Sequence, residues 1–459
     1  MSTFPFPYPF FPVQFTKDGF IFQQPDVDAF LNGINAGVSD VIVISHGWNN
    51  NIDEAKSLYS GVLVQLAAQI LASHSLNGRT FAICGILWPS KKFEDQELIP
   101  SGAASLNDAV TEQHLRTRVQ ALADLIQAKG WPAEAPDPAV AKQLASVEQS
   151  VGTWEDDPGV RRDVVAALRG LLPKQSADRE DASDRFFSLA PDQLLTNLSQ
   201  GLSPPQNVPQ GANASSLDPF TSGPVSGLGG AASFRDVLGG VQSAFLHLLN
   251  FTTYYVMKAR AGDVGVRGVS PLIAAIRAAH PGIRLHLVGH SFGCRVVTSA
   301  VNALAGGSAL QPNTMTLLQG AFSHNGFGVQ FDQVHDGGFR QVVAQKKVRG
   351  PILITHTRND KAVSIAYPIA SRIAGQTASA LGDENDLYGG LGSNGAQHTP
   401  ERVPGTLLEV GGSYPFAASA TSSKLYNLQA DAFIGGHSDI ANPQVAFALA
   451  TGMSSPDAN

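Results

Sequence analysis

The stretch Arg284-Leu-His-Leu-Val-Gly-His-Ser-Phe-Gly-Cys-Arg-Val-Val297 decides how the rest of this chain is read. Leu285 to Val288 is an apolar run that predicts a strand, and the residues after Gly293 predict a helix. Between them, Gly289-His290-Ser291-Phe292-Gly293 fits G-x-S-x-G in the order strand, turn, helix. A turn this tight has no room for side chains at its outer positions, which accounts for the two glycines. It holds the central serine in a strained conformation with its hydroxyl presented outward. The helix N-terminus that follows favours negative charge at the same place. The spacing predicts a serine nucleophile, which needs a base, an acid and two backbone donors from elsewhere in the chain.

Upstream, Asp40-Val-Ile-Val-Ile-Ser45 and Phe81-Ala-Ile-Cys-Gly-Ile-Leu87 are continuous apolar runs of the kind buried on both faces of a parallel sheet. A helix is predicted between them, from about Asp53 to Ala72. One or two short strands are expected in the first twenty-odd residues, with Lys17-Asp18-Gly19 as a hairpin turn. Strands alternating with helices predict a mostly parallel sheet flanked by helices. From Trp88 to Leu249 the pattern changes. Helical periodicity appears over Leu115 to Ile126, Ala139 to Val151 and Val160 to Leu172, and Gly201 to Ala232 is rich in Gly, Pro, Ser and Asn. This region reads as a large, mainly helical cap inserted before the nucleophile strand. The sheet pattern resumes with a helix over Val269 to His280 and strands over Thr314 to Leu318, Pro351 to Thr355 and Thr406 to Val410. The expected organisation is a core over 1–87 and 250–459, a cap over 88–249, and a smaller irregular insertion near 375–403.

A serine hydroxyl is a weak nucleophile and needs a histidine to take its proton and a carboxylate to orient that histidine. Asp360 follows the strand ending at Thr355, in a loop where ligands gather in open α/β sheets. Lys361 to Ile369 reads as a helix that Asp360 would also cap. His437 follows Gly435-Gly436 in a loop near the end of the chain. Acid then histidine after the serine is the required chain order, and it sets His437 ahead of His324 and His356. His398 also competes for the role of base, and Asp332 is the alternative acid. Phe292 N–H, just after the nucleophile, is the expected first oxyanion donor. Trp48 N–H is the second, in the loop His46-Gly47-Trp48 after the strand ending at Ser45. His46 and Gly47 are read as supports of that loop, and His290 and Cys294 as packing residues.

Together, Ser45-His-Gly-Trp48, Gly289-His-Ser-Phe-Gly293, Thr357-Arg-Asn-Asp360 and Gly436-His437 resemble the α/β-hydrolase fold serine hydrolases of the esterase and lipase kind. The resemblance covers roughly Phe11 to Leu87 and Val269 to Leu449. It departs at Asn49, where many relatives with His-Gly-x-Pro carry proline, and in the length of the insertion. The resemblance implies a triad of Ser291, Asp360 and His437 that hydrolyses a carboxylic ester through an acyl-enzyme intermediate. A thioesterase, amidase or acyltransferase on the same residues, or a lipid- or protein-binding scaffold without turnover, are the alternatives.

Composition bounds the partners. The 459 residues carry a net charge of −7 and no basic cluster, which argues against nucleic acid. The two cysteines, Cys84 and Cys294, fall in predicted buried elements, so free thiols are expected. No H-E-x-x-H, paired-cysteine or carboxylate cluster suggests a metal, and no cofactor is expected. The apolar stretch from Val237 to Val256 is broken by Gln242, His247 and Asn250, so no transmembrane segment is expected. The Phe- and Pro-rich N-terminus lacks the basic start of a signal peptide. The expected partner is a small-molecule ester carrying an apolar group, in the cytoplasm by default, with secretion by another route left open. Contact of the cap with a lipid surface stays open, and no oligomeric state follows from the sequence.

Overall fold

In a computed structural model, residues 7–34, 37–90, 108–132, 137–199, 240–360, 370–371, 373–375, 386–416 and 424–458 are described. The loop expected over 201–232 and the helix expected over 361–369 lie outside the described residues. So do the first six residues and 376–385 of the expected small insertion.

The chain divides into two compact units: 1–90 with 260–363 and 390–459, and 91–259 with 364–389. The first contains β1 (Phe10–Gln14), α1 (Gln24–Gly33), β2 (Asp40–Ser45), α2 (Ile52–Ala72) and β3 (Phe81–Leu87). The described part of the second is helical: α3 (Asp108–Ile126), α4 (Pro138–Gln149), α5 (Pro158–Gly170), α6 (Ser183–Ser188), α7 (Pro191–Leu198) and most of α8 (Val241–Asp263). Asp137 and Asp157 cap α4 and α5 by accepting first-turn N–H groups, and proline follows each cap. Lys258, almost fully buried in this unit, lies 2.6 Å from Asp178 and 2.7 Å from Asp181.

The chain leaves α8 through a π-helical segment, Val264–Val269, into α9 (Ser270–Ala279). Next come β4 (Arg284–His290), α10 (Phe292–Ala303), β5 (Thr314–Leu318), α11 (Arg340–Ala344) and β6 (Ile352–His356). The last elements are α12 (Leu391–Asn394), β7 (Arg402–Thr406), β8 (Leu425–Gln429) and α13 (Pro443–Met453).

The eight strands form one all-parallel sheet in the order β1-β3-β2-β4-β5-β6-β8-β7, flanked by helices. The runs at β2, β3 and β5 are buried at every position, in keeping with their largely apolar and β-branched sequences. The edge strands carry proline, Pro12 in β1 and Pro404 in β7, where a missing N–H costs no ladder bond. The turn at Lys17 to Gly19 forms as expected, with Phe15 bridging Ile21 and Gly19 at φ 88°. Two strands differ from expectation. The segment expected at 406–410 instead forms β7 at 402–406, and β8 was not anticipated. Pro404 and Gly405 read as breakers, and Asn427 interrupts the apolar pattern of β8. Buried Asn427 is satisfied by the backbone of Ala396, whose N–H it accepts at 2.9 Å and whose carbonyl it meets at 3.0 Å.

From β2 the chain moves to β3 on one side, and it later returns to pair β4 on the other. The β2/β4 crevice is therefore a switch point, and in such sheets ligands bind beyond its carboxyl ends. At the opposite, N-terminal ends of the same strands lies a buried polar group. His286 Nε2 meets Asp40 Oδ1 at 3.0 Å and His286 Nδ1 meets Thr314 Oγ1 at 2.9 Å. Arg79 lies 3.2 Å from the same aspartate, and the Ser39 hydroxyl donates to it at 2.6 Å. Burial works to raise the Asp40 carboxyl, but bonds from His286 and Ser39 and the charge of Arg79 outweigh it, leaving it below its ordinary value. Burial, with help from Arg79 and Arg284, pushes His286 down. The imidazole is therefore neutral, with its proton on Nε2 facing the carboxylate and Thr314 donating to Nδ1.

Candidate active site

The elbow takes the shape its sequence demands. β4 ends at His290, α10 begins at Phe292, and Ser291 between them sits at φ 56° and ψ −124°. That conformation costs on the order of 1 kcal/mol for a non-glycine residue and persists only where its surroundings fix it. Here Ser291 N–H donates to Leu318 O at 3.0 Å, and its carbonyl accepts from Ala321 and Cys294. A Cβ at Gly293 would lie 2.2 Å from Ser45 O, and one at Gly289 would lie 2.5 Å from Gly293 O. The glycines let the turn press against the end of β2.

Three residues expected to act together meet. His437 Nε2 lies 2.8 Å from Ser291 Oγ, and His437 Nδ1 lies 2.8 Å from Asp360 Oδ2. With Asp360 ionised, Nδ1 carries the proton and Nε2 accepts the serine hydroxyl. Asp360 is fully buried, while Ser291 and the His437 side chain keep 4% and 13% of their surface. The alternatives fall elsewhere. Asp332 pairs with His335 at 2.8 Å, His324 Nδ1 lies 3.1 Å from Asn394 Nδ2, and His398 lies 2.6 Å from Asn325.

The loop His46-Gly47-Trp48 lies against Ser291. A Cβ at Gly47 would fall 2.3 Å from Ser291 Cβ and 2.9 Å from its Oγ, so only glycine fits. Trp48 and Phe292, the residues expected to carry the two donors, meet edge to face with ring centroids 6.2 Å apart. His46 is fully buried and holds this loop. Its N–H donates to Tyr59 Oη at 2.8 Å, its carbonyl accepts from the Trp88 indole at 3.0 Å, and its ring stacks on Trp88. Burial lowers its pKa to about 4, so the ring is neutral, donating from Nδ1 to Gly47 O and accepting Trp88 N–H at Nε2. Asn49 sits at φ 62°, which asparagine tolerates and proline cannot adopt.

Several residues that shape the site carried no functional signal. His290, read as packing, donates from Nε2 to the His437 carbonyl at 2.9 Å and so ties the base loop to the elbow. Burial, reinforced by His437, drops its pKa to about 3. Asp431 accepts from Thr357 Oγ1 at 2.9 Å and Arg358 N–H at 3.0 Å, and Asn359 donates to Asp431 O and Ile434 O. These bonds fasten the acid loop to the histidine loop. Gln319 donates to Asp360 Oδ2. The last two depend on pairings across tens of residues, which no local pattern announces.

Cys84 and Cys294 are free and buried, and burial holds both thiols protonated. Among the described residues, no helix is long and apolar enough to cross a membrane. Compared with protein-family models, curated proteins and solved structures, the chain matches none.

Proposed function

We propose that this chain is a serine hydrolase of the α/β-hydrolase type that cleaves a carboxylic ester through an acyl-enzyme intermediate. The observation that carries the reading is the unbroken hydrogen-bonded chain from Asp360 through His437 to a serine held at positive φ beyond the end of a central strand. A binding scaffold needs neither the strained serine nor the glycine pressed against it.

Ser291 Oγ attacks the ester carbonyl as His437 Nε2 takes its proton. Asp360 keeps the imidazole in the correct tautomer and stabilises its charged form. The amides of Phe292 and Trp48 hold the oxyanion, a contribution typically worth on the order of 100- to 1,000-fold per donor. The intermediate collapses, His437 returns its proton to the departing alcohol, and the acyl group stays on Ser291. Water then attacks the acyl-serine with His437 again as base, freeing the acid.

The test is labelling with a fluorophosphonate probe, followed by hydrolysis of p-nitrophenyl esters of increasing chain length. The native protein should label at Ser291, and Ser291→Ala should neither label nor turn over. Absence of labelling in the native protein, or equal labelling of the variant, removes the nucleophile. Cleavage of thioesters or amides in place of esters would keep the triad and change the substrate.

A further inference from the structure

Gln319 follows β5 directly and is fully buried. Its backbone lies at φ 49°, a left-handed conformation that a residue with a long side chain rarely adopts. Its side-chain Nε2 donates to Asp360 Oδ2 and to Gly392 O, each at 3.2 Å. Both partners are pure acceptors, so the amide cannot be turned the other way round. In this orientation its Oε1 is buried and finds no hydrogen-bond partner among the described residues. A strained backbone and an orphaned buried carbonyl are both unfavourable. A Cβ at Gly392 would lie 3.0 Å from Asp360 Oδ2 and 2.7 Å from the Gln319 carbonyl carbon, so the acid, the amide and this glycine are in close contact.

We infer that Gln319 is a positioning residue, whose amide N–H fixes the direction of the Asp360 carboxylate and tempers the negative charge presented to His437. The inference rests on the hydrolase reading of Asp360 and His437. Asp360 Oδ2 is the same atom that meets His437 Nδ1, so Gln319 and His437 share one lone-pair-bearing oxygen. Removing the amide donor takes away one of the donors that hold that oxygen beside the imidazole. Its orientation loosens, which slows proton transfer. Its charge is less dispersed, which strengthens its hold on the imidazolium. The base then stays protonated to higher pH.

Two substitutions separate this role from a packing role. Gln319→Met keeps the volume, removes the donor and also removes the orphaned oxygen. It strands no acceptor, because Asp360 Oδ2 keeps His437, and Gly392 O still accepts Thr357 N–H at 2.9 Å. Gln319→Glu places a second carboxyl beside Asp360, so the pair shares a proton and the introduced group can donate in place of the amide while it stays protonated.

The rate of fluorophosphonate reaction at Ser291 is measured against pH for the native protein and both variants. Gln319→Met should react roughly 10-fold more slowly, with the acid limb of the profile moved up by roughly half a pH unit. Gln319→Glu should stay close to native on the acid side and fall progressively behind as pH rises and the introduced carboxyl ionises. Native profiles in both variants, or a slower Gln319→Met whose limb has not moved, would overturn the inference while the native enzyme still labels. If the native protein does not label at Ser291 at any pH, the hydrolase reading itself fails.

Discussion

An aspartate, a histidine and a hydroxyl meet at each end of strand β4. At the N-terminal end, Asp40, His286 and Thr314 meet at 3.0 and 2.9 Å; at the C-terminal end, Asp360, His437 and Ser291 meet at 2.8 Å twice. Bond lengths alone would not tell one from the other. The difference lies in what surrounds them. All three members of the first group stand on regular strands, and the aspartate also faces Arg79. Its hydroxyl is on an ordinary strand residue, and nothing about it is strained. In the second group, the hydroxyl sits on an elbow at positive φ, a helix begins at the next residue, and Gly47 lies against it. In the proposed reading, backbone placement turns such a relay into a nucleophile, and the same three groups on regular strands are structural.

That contrast can be broken by experiment. The largest expected effect is at the elbow. Ser291→Ala should lower ester turnover on the order of 10⁵-fold, and peptide mapping of the phosphonate adduct in the native protein should find Ser291 and never Thr314. A label on Thr314 would erase the distinction between the two ends. Asp40→Ala should show the reverse profile. Leaving Arg79 and His286 without their buried carboxylate costs about 3 kcal/mol of stability by urea titration, while kcat of the remaining folded protein stays within about twofold. Third comes Gly47→Ala, whose methyl group would collide with Ser291. It should cut turnover on the order of 100-fold without the stability loss of Asp40→Ala, which parallel activity and unfolding curves would check.

The smallest effect per residue concerns acid, and it is shared by both ends. His46 and His290 are held neutral, with pKa values of about 4 and about 3 against 6.5 for a free imidazole, and His286 is lowered as well. The unfolded chain therefore takes up these protons first as pH falls. Stability declines below the ordinary imidazole value and goes on declining until the folded values are reached. Between about pH 7 and about pH 5 the loss should be about 2 kcal/mol for each of His46 and His290. Asp40, whose folded value is also depressed, adds its loss only at more acid pH, below its ordinary value. Urea midpoints across this range check the slope. A flat profile would mean that these imidazoles are not held neutral by burial.

How much of this could be read from the sequence depended on how local each signal was. β2, β3 and β5 fall where their apolar or β-branched runs predict them, because a strand buried on both faces carries few polar side chains to confuse the pattern. The elbow was legible for the same reason, as a motif complete within a few residues. Asp360 and His437 were reached through chain order. β8 was not legible, because its buried Asn427 is satisfied only by a distant backbone segment. Nor were Gln319, Asp431 and the role of His286. Their partners lie 41, 74 and 246 residues away, and a single sequence carries no record of such pairings.

The register of β2 against β4 also has a consequence for synthesis. Asp40 pairs with Arg284 and Ser45 with Gly289, so the centre of the sheet joins strands separated by the whole of residues 91–259. While a ribosome makes that stretch, at about 5–20 residues per second, β2 and β3 wait roughly ten seconds or more for β4 to emerge. During that interval one flank of an almost wholly apolar strand has no neighbour. A nascent chain built this way is a natural client for factors that shield exposed strand edges, and the proposed triad is complete only once the segment carrying His437 has emerged.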